Sequence, residues 1–422
     1  MIVPSIDLMD GNAVQLVGGR EKELDAGDPF AIAERFGPVG TIAVVDLDAA
    51  LGQGSNADIM EALCRRHPCR VGGGIRDLAT ARRWLDAGAE SIVIGTAAEP
   101  ELLRALPPER VFVALDAVDG EVVVEGWRTR TGRSILERMR ALEGLCGGFL
   151  VTFVEREGRL EGTDLGRVGA LVEAAGPARL TIAGGVTTAA EVAELDCLGA
   201  DAQVGMSLYT GRLGLAEAFA APLKSEREDG LWPTVVVDEQ GVALGLVWSN
   251  LESLRVALEE RRGVYWSRKR GLWRKGETSG ATQALLRVDV DCDRDSLRFT
   301  VRPRDGFCHL GTRSCWGQGG GLARLERTLL SRAKADEDGS YTRRLLADEE
   351  LLGAKLLEEA GELAAARGAD EVRWEAADVL YFTLVAMVRA GVSLEEVQGE
   401  LERRSLNTTR RPGDAKEGGG SS

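Results

Sequence analysis

The alternation of short β-branched runs with helical stretches over the first half of the chain limits the fold more than any other feature. The runs Thr41–Asp46, Ser91–Ile94, Val111–Leu115, Phe149–Phe153 and Leu180–Ile182 are predicted strands, and stretches rich in Ala, Leu, Glu and Arg separate them. Strand-then-helix repetition at this spacing produces a parallel sheet covered by helices. About eight such units in roughly 220 residues favour a closed (β/α)8 barrel over an open sheet.

The pattern changes twice after this barrel, so the 422 residues are predicted to form several domains. The barrel is assigned to residues 1–223, and a charged stretch that follows it predicts a linker. Strands around one helix then predict a small central α+β domain over 231–317. From 322 to 406, apolar residues recur at spacings of three and four, which predicts a C-terminal all-α helical bundle. The tail, 407–422, is rich in Gly, Ser and charge and is expected to be disordered.

Charge and cysteine content narrow the class of protein. The net charge of −15 argues against a nucleic-acid partner, because neutralising phosphates requires clustered Lys and Arg. Seven cysteines in a chain of this size are too few for a disulfide-rich secreted scaffold. The N-terminus lacks the basic and apolar regions of a signal peptide, and no apolar run reaches the roughly 18 residues of a membrane helix. We therefore expect a cytoplasmic protein without a membrane segment.

An acidic cluster lies at the end of the predicted strand Ala284–Asp291. Strand alternation would place Asp291, Asp293 and Asp295 on one face and the intervening Cys292 on the other. Carboxylates this close repel one another unless a cation lies among them, and oxygen ligands suit Mg²⁺. The sequence therefore predicts a magnesium site here.

Three cysteines, Cys292, Cys308 and Cys315, crowd into the same region. Thiolates favour Zn²⁺, and three protein ligands leave one position for a water whose pKa the metal lowers to about 7. His309 follows Cys308 directly, so we expect it to act as a proton shuttle. The alternative is a structural zinc site, but such a site normally has four ligands, and no fourth cysteine or second histidine lies nearby.

A polar segment between two predicted strands can hold a phosphate close to the backbone, although a polar hairpin turn is the alternative interpretation. The candidate substrate-binding residues in this segment are Trp273, Arg274, Lys275, Glu277, Thr278 and Ser279.

The central region resembles phosphoribosyl-AMP cyclohydrolase, an enzyme of histidine biosynthesis. The blocks YWSRKRGLWRKGETSG (265–280), VDCDRDSL (290–297) and FCHLGTRSCWG (307–317) carry the likeness. The resemblance implies that the three aspartates bind Mg²⁺ and that the three cysteines bind Zn²⁺ across a homodimer interface. It also implies hydrolytic opening of the adenine ring of phosphoribosyl-AMP between N1 and C6, with zinc-activated hydroxide as the nucleophile.

Two acidic motifs lie at helical spacing in the last domain. Their candidate metal ligands are Glu358, Glu359, Glu362, Glu375 and Asp378. Antiparallel packing of the two helices would gather these carboxylates, which could then bind Mg²⁺ and, through it, a pyrophosphate. A solvated acidic face is the alternative. Asp378 favours the metal site, because it stands just before a strongly apolar run.

This last segment resembles phosphoribosyl-ATP pyrophosphohydrolase. SYTRRLL (340–346), the Glu-Glu-x-x-Glu element and EAADVLYF (375–382) carry the likeness. The resemblance implies that the five carboxylates are metal ligands, with Glu359 at the catalytic centre. The implied reaction releases pyrophosphate from phosphoribosyl-ATP and so supplies the substrate of the preceding domain.

The barrel resembles phosphoribosylformimino-imidazole-carboxamide ribotide isomerase, through IDLMDG (6–11), VGGGIR (71–76), LDAVDGEVVVEGW (115–127), AGGV (183–186) and VGMSLYTG (204–211). Glycine-rich turns after barrel strands expose N–H groups that can hold phosphates. Two such turns would suit a substrate with a phosphate at each end. Their candidate residues are Gly74, Gly95, Thr96, Gly185 and Gly205.

The isomerase resemblance implies acid–base catalysis by two aspartates on opposite sides of the barrel mouth. Asp7 fills the first position, but Phe153 stands where the family has the second, and Gln15 replaces a substrate-side arginine. Loss of one member of such a pair costs about 10²–10⁴ in rate. Either Asp116, Glu155 or Glu157 substitutes, or the barrel no longer isomerises; the sequence favours the second interpretation.

Together these features predict a bifunctional hydrolase for the second and third steps of histidine biosynthesis, carried behind a degenerate isomerase-like barrel. Its expected cofactors are Zn²⁺ and Mg²⁺, its expected ligands are phosphoribosyl nucleotides, and its expected assembly is a homodimer through the cyclohydrolase domain. One alternative is an active isomerase with an accessory C-terminal half. Another is a non-enzymatic central domain with structural zinc.

Overall fold

A sheet of twelve strands contains the predicted barrel in the computed structural model, which describes residues 1–18, 21–124, 127, 129–335 and 340–409. The strands are β1 (Ile2–Met9), β2 (Asn12–Val17), β3 (Glu21–Gly27), β4 (Ile42–Asp46), β5 (Cys69–Gly72), β6 (Ser91–Ile94), β7 (Val111–Val118), β8 (Glu121–Val124), β9 (Thr129–Ser134), β10 (Gly148–Phe153), β11 (Arg179–Ala183) and β12 (Ala200–Val204). Eight of these described strands are parallel, in the order β10-β11-β12-β1-β4-β5-β6-β7, and pairing of β7 with β10 closes the ring. The predicted barrel is confirmed.

Helices connect the barrel strands and cover them. They are α1 (Pro29–Phe36), α2 (Leu47–Leu51), α3 (Ala57–Cys64), α4 (Leu78–Asp86), α5 (Pro100–Leu103), α6 (Ile135–Ala141), α7 (Leu165–Ala175), α8 (Ala189–Leu198), α9 (Met206–Tyr209) and α10 (Leu215–Ala220). Local sequence explains several of their ends. Asp28 caps α1 ahead of Pro29, and Thr188 with Glu191 forms a capping box at the start of α8.

The barrel strands read as continuous apolar runs because both of their faces are covered. Every residue of β5 and of β10 is buried, for example. The antiparallel pairs β2–β3 and β8–β9 extend from β1 and β7.

A second sheet follows the barrel. Its strands in the described chain are β13 (Trp232–Val237), β14 (Ala243–Ser249), β15 (Val264–Ser267), β16 (Gly271–Arg274), β17 (Gln283–Val290) and β18 (Leu297–Pro303), in the order β16-β15-β14-β13-β18-β17. The helix α11 (Leu251–Glu260) begins at the capping residue Asn250 and packs on β15. Tyr265 and Phe299 are buried in this sheet with ring centroids 5.5 Å apart.

Helices then continue to the end of the described chain: α12 (Gly321–Lys334), α13 (Tyr341–Ala347), α14 (Glu349–Ala365), α15 (Ala369–Ala390) and α16 (Leu394–Ser405). Their shared core consists of Leu329, Leu345, Leu352, Phe382, Leu384, Val385 and Leu394. No single described helix is long and apolar enough to cross a membrane; only α15 and α16 together meet the length and composition test, as a pair bent by 107°.

The chain divides into two units, one of residues 1–236, 246–302 and 406–422 and the other of residues 237–245 and 303–405. The first unit joins the barrel to most of the second sheet, and the second unit contains the helices α12–α16. Within the first unit, the backbone N–H of Thr408 donates to Asp86 at 2.6 Å. Residues 410–422, most of the predicted disordered tail, lie outside the described residues.

Candidate active sites

Three carboxylates line one cavity of about 930 Å³ at the C-terminal ends of the barrel strands. Asp7 lies near the end of β1 and Asp116 near the end of β7, while Glu157 follows β10. In barrels of this kind, this end holds the residues that touch substrate. The structure thus brings the predicted Asp7 together with two of the three residues that the sequence offered as its partner.

Burial sets the protonation of these groups. It raises the pKa of Asp7 to about 7. It raises the pKa of Glu157 to about 8, an effect to which the negative charges of Asp7 and Asp116 add. Burial also raises the pKa of Asp116, against hydrogen bonds from Trp127 and Thr152. Two carboxyl groups with pKa values near neutrality can serve as acid and base in one reaction.

The side chain of Phe153 does not face the cavity that holds Asp7, Asp116 and Glu157. Its neighbour Thr152 pairs with Asp116 across β10 and β7 and lines the cavity. Because side chains alternate along a strand, Phe153 points to the other face, where it is fully buried. A carboxylate at position 153 would therefore face away from the cavity, whereas Glu157 faces into it. Gln15 is buried, and its Nε2 donates to the carbonyl of Val14 at 2.9 Å.

The predicted glycine turns lie on the walls of the same region. Gly74, Gly95 and Thr96 line the large cavity. Gly185 and Gly205 line a second cavity of about 30 Å³, which shares Glu157 with the first. The large cavity is also lined by four arginines that were not among the predicted site residues, Arg70, Arg76, Arg133 and Arg138. Only Arg76 had a sequence signal, since it directly follows a glycine-rich turn.

Gly74 shows why such a turn requires glycine. Its φ is +69°, and a Cβ there would lie 2.8 Å from the Cβ of Ala49. Glycine is therefore required here by the backbone conformation and by the close packing against Ala49.

The aspartate loop, residues 291–296, gathers the predicted magnesium ligands. The strand β17 ends at Val290, so Asp291, Asp293 and Asp295 do not share a strand face, and that part of the prediction was wrong. A turn gathers them instead, with one oxygen of each within 4.8 Å of the others. The Oδ1 of Asp291 accepts from the backbone N–H groups of Asp295 and Ser296, both at 3.0 Å. This set of hard oxygen donors fits Mg²⁺.

Two of the predicted zinc ligands, Cys308 and Cys315, lie in the second unit, while the exposed Cys292 belongs to the first. The pKa of the Cys308 thiol is lowered by the N–H of Leu310 and then by the Thr312 hydroxyl, with a smaller contribution from the Cys315 thiol. A lowered pKa favours the thiolate that binds metals.

His309 Nδ1 lies 3.9 Å from Cys308 Sγ, and its role as a proton shuttle stays a prediction. The loop that carries these residues is anchored by a buried ion pair, Arg313 to Asp238 at 3.0 Å. Two groups of described residues bring three candidate ligand atoms within 4.8 Å, and neither includes a cysteine. The three-thiolate set therefore stays a prediction.

The polar segment after β16 forms a tight turn at Gly276, whose φ is +82°. Glu277, Thr278 and Ser279 are exposed on it. Arg274 is held by Glu260, with Nε 2.9 Å from Oε1. The remaining predicted residues, Trp273 and Lys275, are half-buried. The substrate-binding role of this segment stays a prediction.

The bundle cluster, Glu359, Glu375 and Asp378, brings one oxygen of each residue within 4.8 Å of the others. It forms where α14 packs against α15, and Glu359 is buried. Burial raises the pKa of Glu375, and the charges of Glu362, Glu359 and Asp378 raise it further. A divalent cation would relieve this repulsion, so the donor set fits Mg²⁺.

The other two predicted ligands of this site take different partners. Glu362 lies close enough to Glu375 to raise the pKa of that carboxyl. Glu358 lies 2.9 Å from the Nζ of Lys355, which is also 2.8 Å from Glu359 Oε1. Sequence analysis did not single out Lys355, although its place four residues before Glu359 is the spacing of a helical ion pair.

Three families match the chain in succession. A family described as "Histidine biosynthesis protein" matches residues 1–214. "Phosphoribosyl-AMP cyclohydrolase" matches 245–317, and "Phosphoribosyl-ATP pyrophosphohydrolase" matches 322–405.

Similar proteins include a histidine biosynthesis trifunctional protein of Neurospora crassa, 50% identical over 206 residues, or 49% of this chain and 24% of that protein. A histidine biosynthesis bifunctional protein of Schizosaccharomyces pombe is 50% identical over 206 residues, 49% of each chain. The chain thus spans half or less of these relatives. A 1-(5-phosphoribosyl)-5-((5-phosphoribosylamino)methylideneamino)imidazole-4-carboxamide isomerase of Natronomonas pharaonis is 39% identical over 232 residues, 52% of this chain and 97% of that protein.

Proposed function

Because the chain belongs to the histidine biosynthesis protein family, we propose that its C-terminal half catalyses two consecutive hydrolyses on phosphoribosyl nucleotides. The first converts phosphoribosyl-ATP into phosphoribosyl-AMP and pyrophosphate, and the second opens the adenine ring of phosphoribosyl-AMP. The observation that carries the proposal is the pair of carboxylate groups, each with three converging oxygens, in the two regions that match these hydrolases. The predicted domains, 231–317 and 322–406, would each hold one reaction.

In the pyrophosphohydrolase reaction, Glu359, Glu375 and Asp378 would hold Mg²⁺, with Glu358 and Glu362 beside them. The ion, when bound, neutralises the phosphate charge of substrate and leaving group. Water adds to the phosphorus that stays on the nucleotide while the bond to the pyrophosphate oxygen breaks. Glu359, the most buried of the set, fixes the site geometry, and Lys355 balances the charge of the carboxylates.

In the cyclohydrolase reaction, Cys292, Cys308 and Cys315 would hold Zn²⁺, and Asp291, Asp293 and Asp295 would hold Mg²⁺. The zinc ion, when bound, supplies the Lewis acidity that makes water nucleophilic near neutral pH. The oxygen adds at C6, the N1–C6 bond breaks, and the proton released by the water reaches N1. We propose that His309, 3.9 Å from Cys308 Sγ, carries that proton.

A homodimer through the cyclohydrolase domain completes this proposal. Leu310 and Trp316 are 76% and 67% exposed, next to the cysteines of the same loop. Large apolar side chains exposed beside an incomplete ligand set suit a surface that a second copy covers. The cytoplasmic location stays a prediction of the sequence.

Single substitutions in the full chain test the two hydrolyses. With phosphoribosyl-ATP as substrate, Cys308→Ala is expected to release pyrophosphate normally and accumulate phosphoribosyl-AMP, while Glu359→Ala releases no pyrophosphate. The exposed residues Cys197 and Glu350 supply matched controls, Cys197→Ala and Glu350→Ala, which should behave as wild type. Full turnover of both site variants would overturn the assignments.

A second function, isomerisation of the phosphoribosyl-imidazole intermediate in the barrel, is favoured by the convergence of Asp7, Asp116 and Glu157 on one cavity. We propose that Asp7 is the base and Glu157 the acid, because the negative charge of an ionised Asp7 favours the protonated form of Glu157. The acid protonates the sugar ring oxygen to open the ring, and the base removes the proton from the neighbouring carbon. An assay of ribotide isomerisation with the full chain tests this proposal; no activity at any pH would overturn it.

A further inference from the structure

The aspartate loop is tied to the barrel by Arg294, which lies between two of the proposed magnesium ligands. Its Nη2 donates to Asp196 Oδ1 at 2.9 Å and its Nε to Asp196 Oδ2 at 3.2 Å. Asp196 belongs to the barrel helix α8, and both residues are in the first unit. Their side chains are 28% and 15% exposed, so this bidentate ion pair is partly shielded from solvent.

The backbone of Arg294 is held as firmly as its side chain. Its φ is +69°, a left-handed conformation that favours glycine. A residue other than glycine keeps this conformation only where its surroundings fix it. Here the Arg294 carbonyl accepts from the N–H of Lys224, just after the barrel, at 2.7 Å.

This left-handed residue produces the turn that gathers the aspartates. The chain reverses at Arg294, so that the N–H groups of Asp295 and Ser296 reach Asp291 Oδ1, both at 3.0 Å. The backbone N–H of Asp291 in turn donates to the carbonyl of Ser296 at 3.2 Å. The guanidinium itself donates to Asp196 and to the Asp291 carbonyl rather than to a loop carboxylate.

We propose that Arg294 is a positioning residue through which the barrel holds the aspartate loop in the shape that binds Mg²⁺. The inference rests on the proposed magnesium site of the cyclohydrolase. It gives the barrel a role in ring opening that is independent of any reaction in its own cavity. The barrel and the loop are then one functional unit, although they match different families.

Hydrogen exchange of the full chain, followed on a peptide covering residues 290–297 during a titration with Mg²⁺ alone, tests this role. In the wild type, Mg²⁺ is expected to slow exchange of this peptide with a defined midpoint. Asp196→Asn weakens this ion pair, and also the one that Asp196 forms with the N-terminal ammonium at 2.8 Å, without touching the loop. Arg294→Gly leaves Asp196 and the N-terminus unchanged, and it keeps the backbone conformation while removing the side chain. Each is expected to raise the midpoint about tenfold, the size of one lost charge-assisted hydrogen-bond pair.

Asp229→Asn is the matched control. Asp229 forms a bidentate ion pair with Arg227 in the same unit, with distances of 2.8 and 2.7 Å, and that pair does not touch the loop. The Mg²⁺ midpoint of Asp229→Asn should equal that of the wild type. In parallel, the Mg²⁺ concentration that half-activates ring opening should rise by the same factor in Asp196→Asn, with unchanged kcat at saturating Mg²⁺.

The outcomes separate the two claims. Absence of Mg²⁺-dependent protection in the wild type would refute the magnesium site and, with it, this inference. Protection in the wild type with an unchanged midpoint in both Asp196→Asn and Arg294→Gly would refute the role of Arg294 alone. A midpoint that rises equally in Asp229→Asn would show a general loss of stability and would also overturn the inference.

Discussion

The carboxylates of the barrel and those of the helical bundle are the same chemical groups in opposite arrangements. In the barrel cavity, burial raises the pKa of Asp7 to about 7 and that of Glu157 to about 8. In the bundle cluster, three carboxylate oxygens converge within 4.8 Å, and Glu359 also lies 2.8 Å from a lysine nitrogen. Carboxylates that line a poorly solvated cavity become proton carriers, whereas carboxylates whose oxygens all lie within a few ångströms of one another form a site for a cation.

The largest expected effect is the loss of isomerisation when Glu157 can no longer donate a proton. Glu157→Gln keeps the shape of the side chain but cannot exchange a proton, so ribotide isomerisation should fall about 10²–10⁴-fold. Pyrophosphate release in the same sample should stay unchanged. The exposed Glu161, in the same loop, supplies the control Glu161→Gln. Isomerisation at the wild-type rate in Glu157→Gln would remove the acid–base interpretation of the barrel.

Removal of one carboxylate charge from the bundle cluster should affect only the metal-dependent release of pyrophosphate. Asp378→Asn removes one charge from the converging set, and pyrophosphate release should fall on the order of a hundredfold, since such ions supply several kcal/mol of transition-state stabilisation. Excess Mg²⁺ should restore part of the activity. Asp370→Asn, at an exposed position of the same helix, is the control. Equal rates for the two variants would contradict a metal site at Asp378.

Phe153→Asp distinguishes the cavity face of β10 from the core face. Because Phe153 is fully buried, an aspartate there would place an unpaired charge in the core. The free energy of unfolding, measured by urea denaturation, should fall by roughly 3 kcal/mol or more. Isomerisation should not increase. A gain of isomerase activity would show that position 153, and not 157, faces the substrate.

The smallest expected effect is the pH dependence of the isomerisation rate and of the stability of the barrel. Isomerisation needs Asp7 ionised and Glu157 protonated, so its rate should follow a bell whose limbs lie near pH 7 and pH 8. Both folded-state pKa values lie above the ordinary ones. The stability that these groups contribute is therefore fully present below about pH 4 and is lost as the pH rises through about 7 to 8.

Thermal unfolding between pH 5 and pH 9 measures this loss. Asp7→Asn combined with Glu157→Gln should flatten the profile, since neither replacement titrates. A profile that keeps the wild-type slope in the double variant would place the responsible groups elsewhere.

Local periodicity was enough to predict much of the fold. Ser91–Ile94 was predicted as a strand and is β6. The second of the two predicted acidic helices is confirmed as α15 (Ala369–Ala390). Such elements follow from apolar spacing, which a single sequence shows directly. The bundle cluster could also be predicted from the sequence, because Glu375 and Asp378 lie three residues apart on one helix.

The remaining site features depend on where a strand ends. A strand prediction that ran one residue too far, to Asp291, assigned the three aspartates to a strand face, but the chain leaves β17 at Val290 and turns. After β10, the sequence likewise left open whether Glu155 or Glu157 replaces the carboxylate that the family has at the position of Phe153. A shift of one residue moves a side chain to the opposite face, and only tertiary contacts, such as Arg294 to Asp196, fix the end of the strand.

Removal of metal ions from the full chain tests the contrast between the two regions most directly. The purified protein is treated with a chelator, and pyrophosphate release, ring opening and ribotide isomerisation are measured in the same sample. We expect the two hydrolyses to stop and to recover when Mg²⁺ and Zn²⁺ are returned, while isomerisation continues throughout. Loss of isomerisation together with the hydrolyses, or pyrophosphate release that survives the chelator, would contradict it.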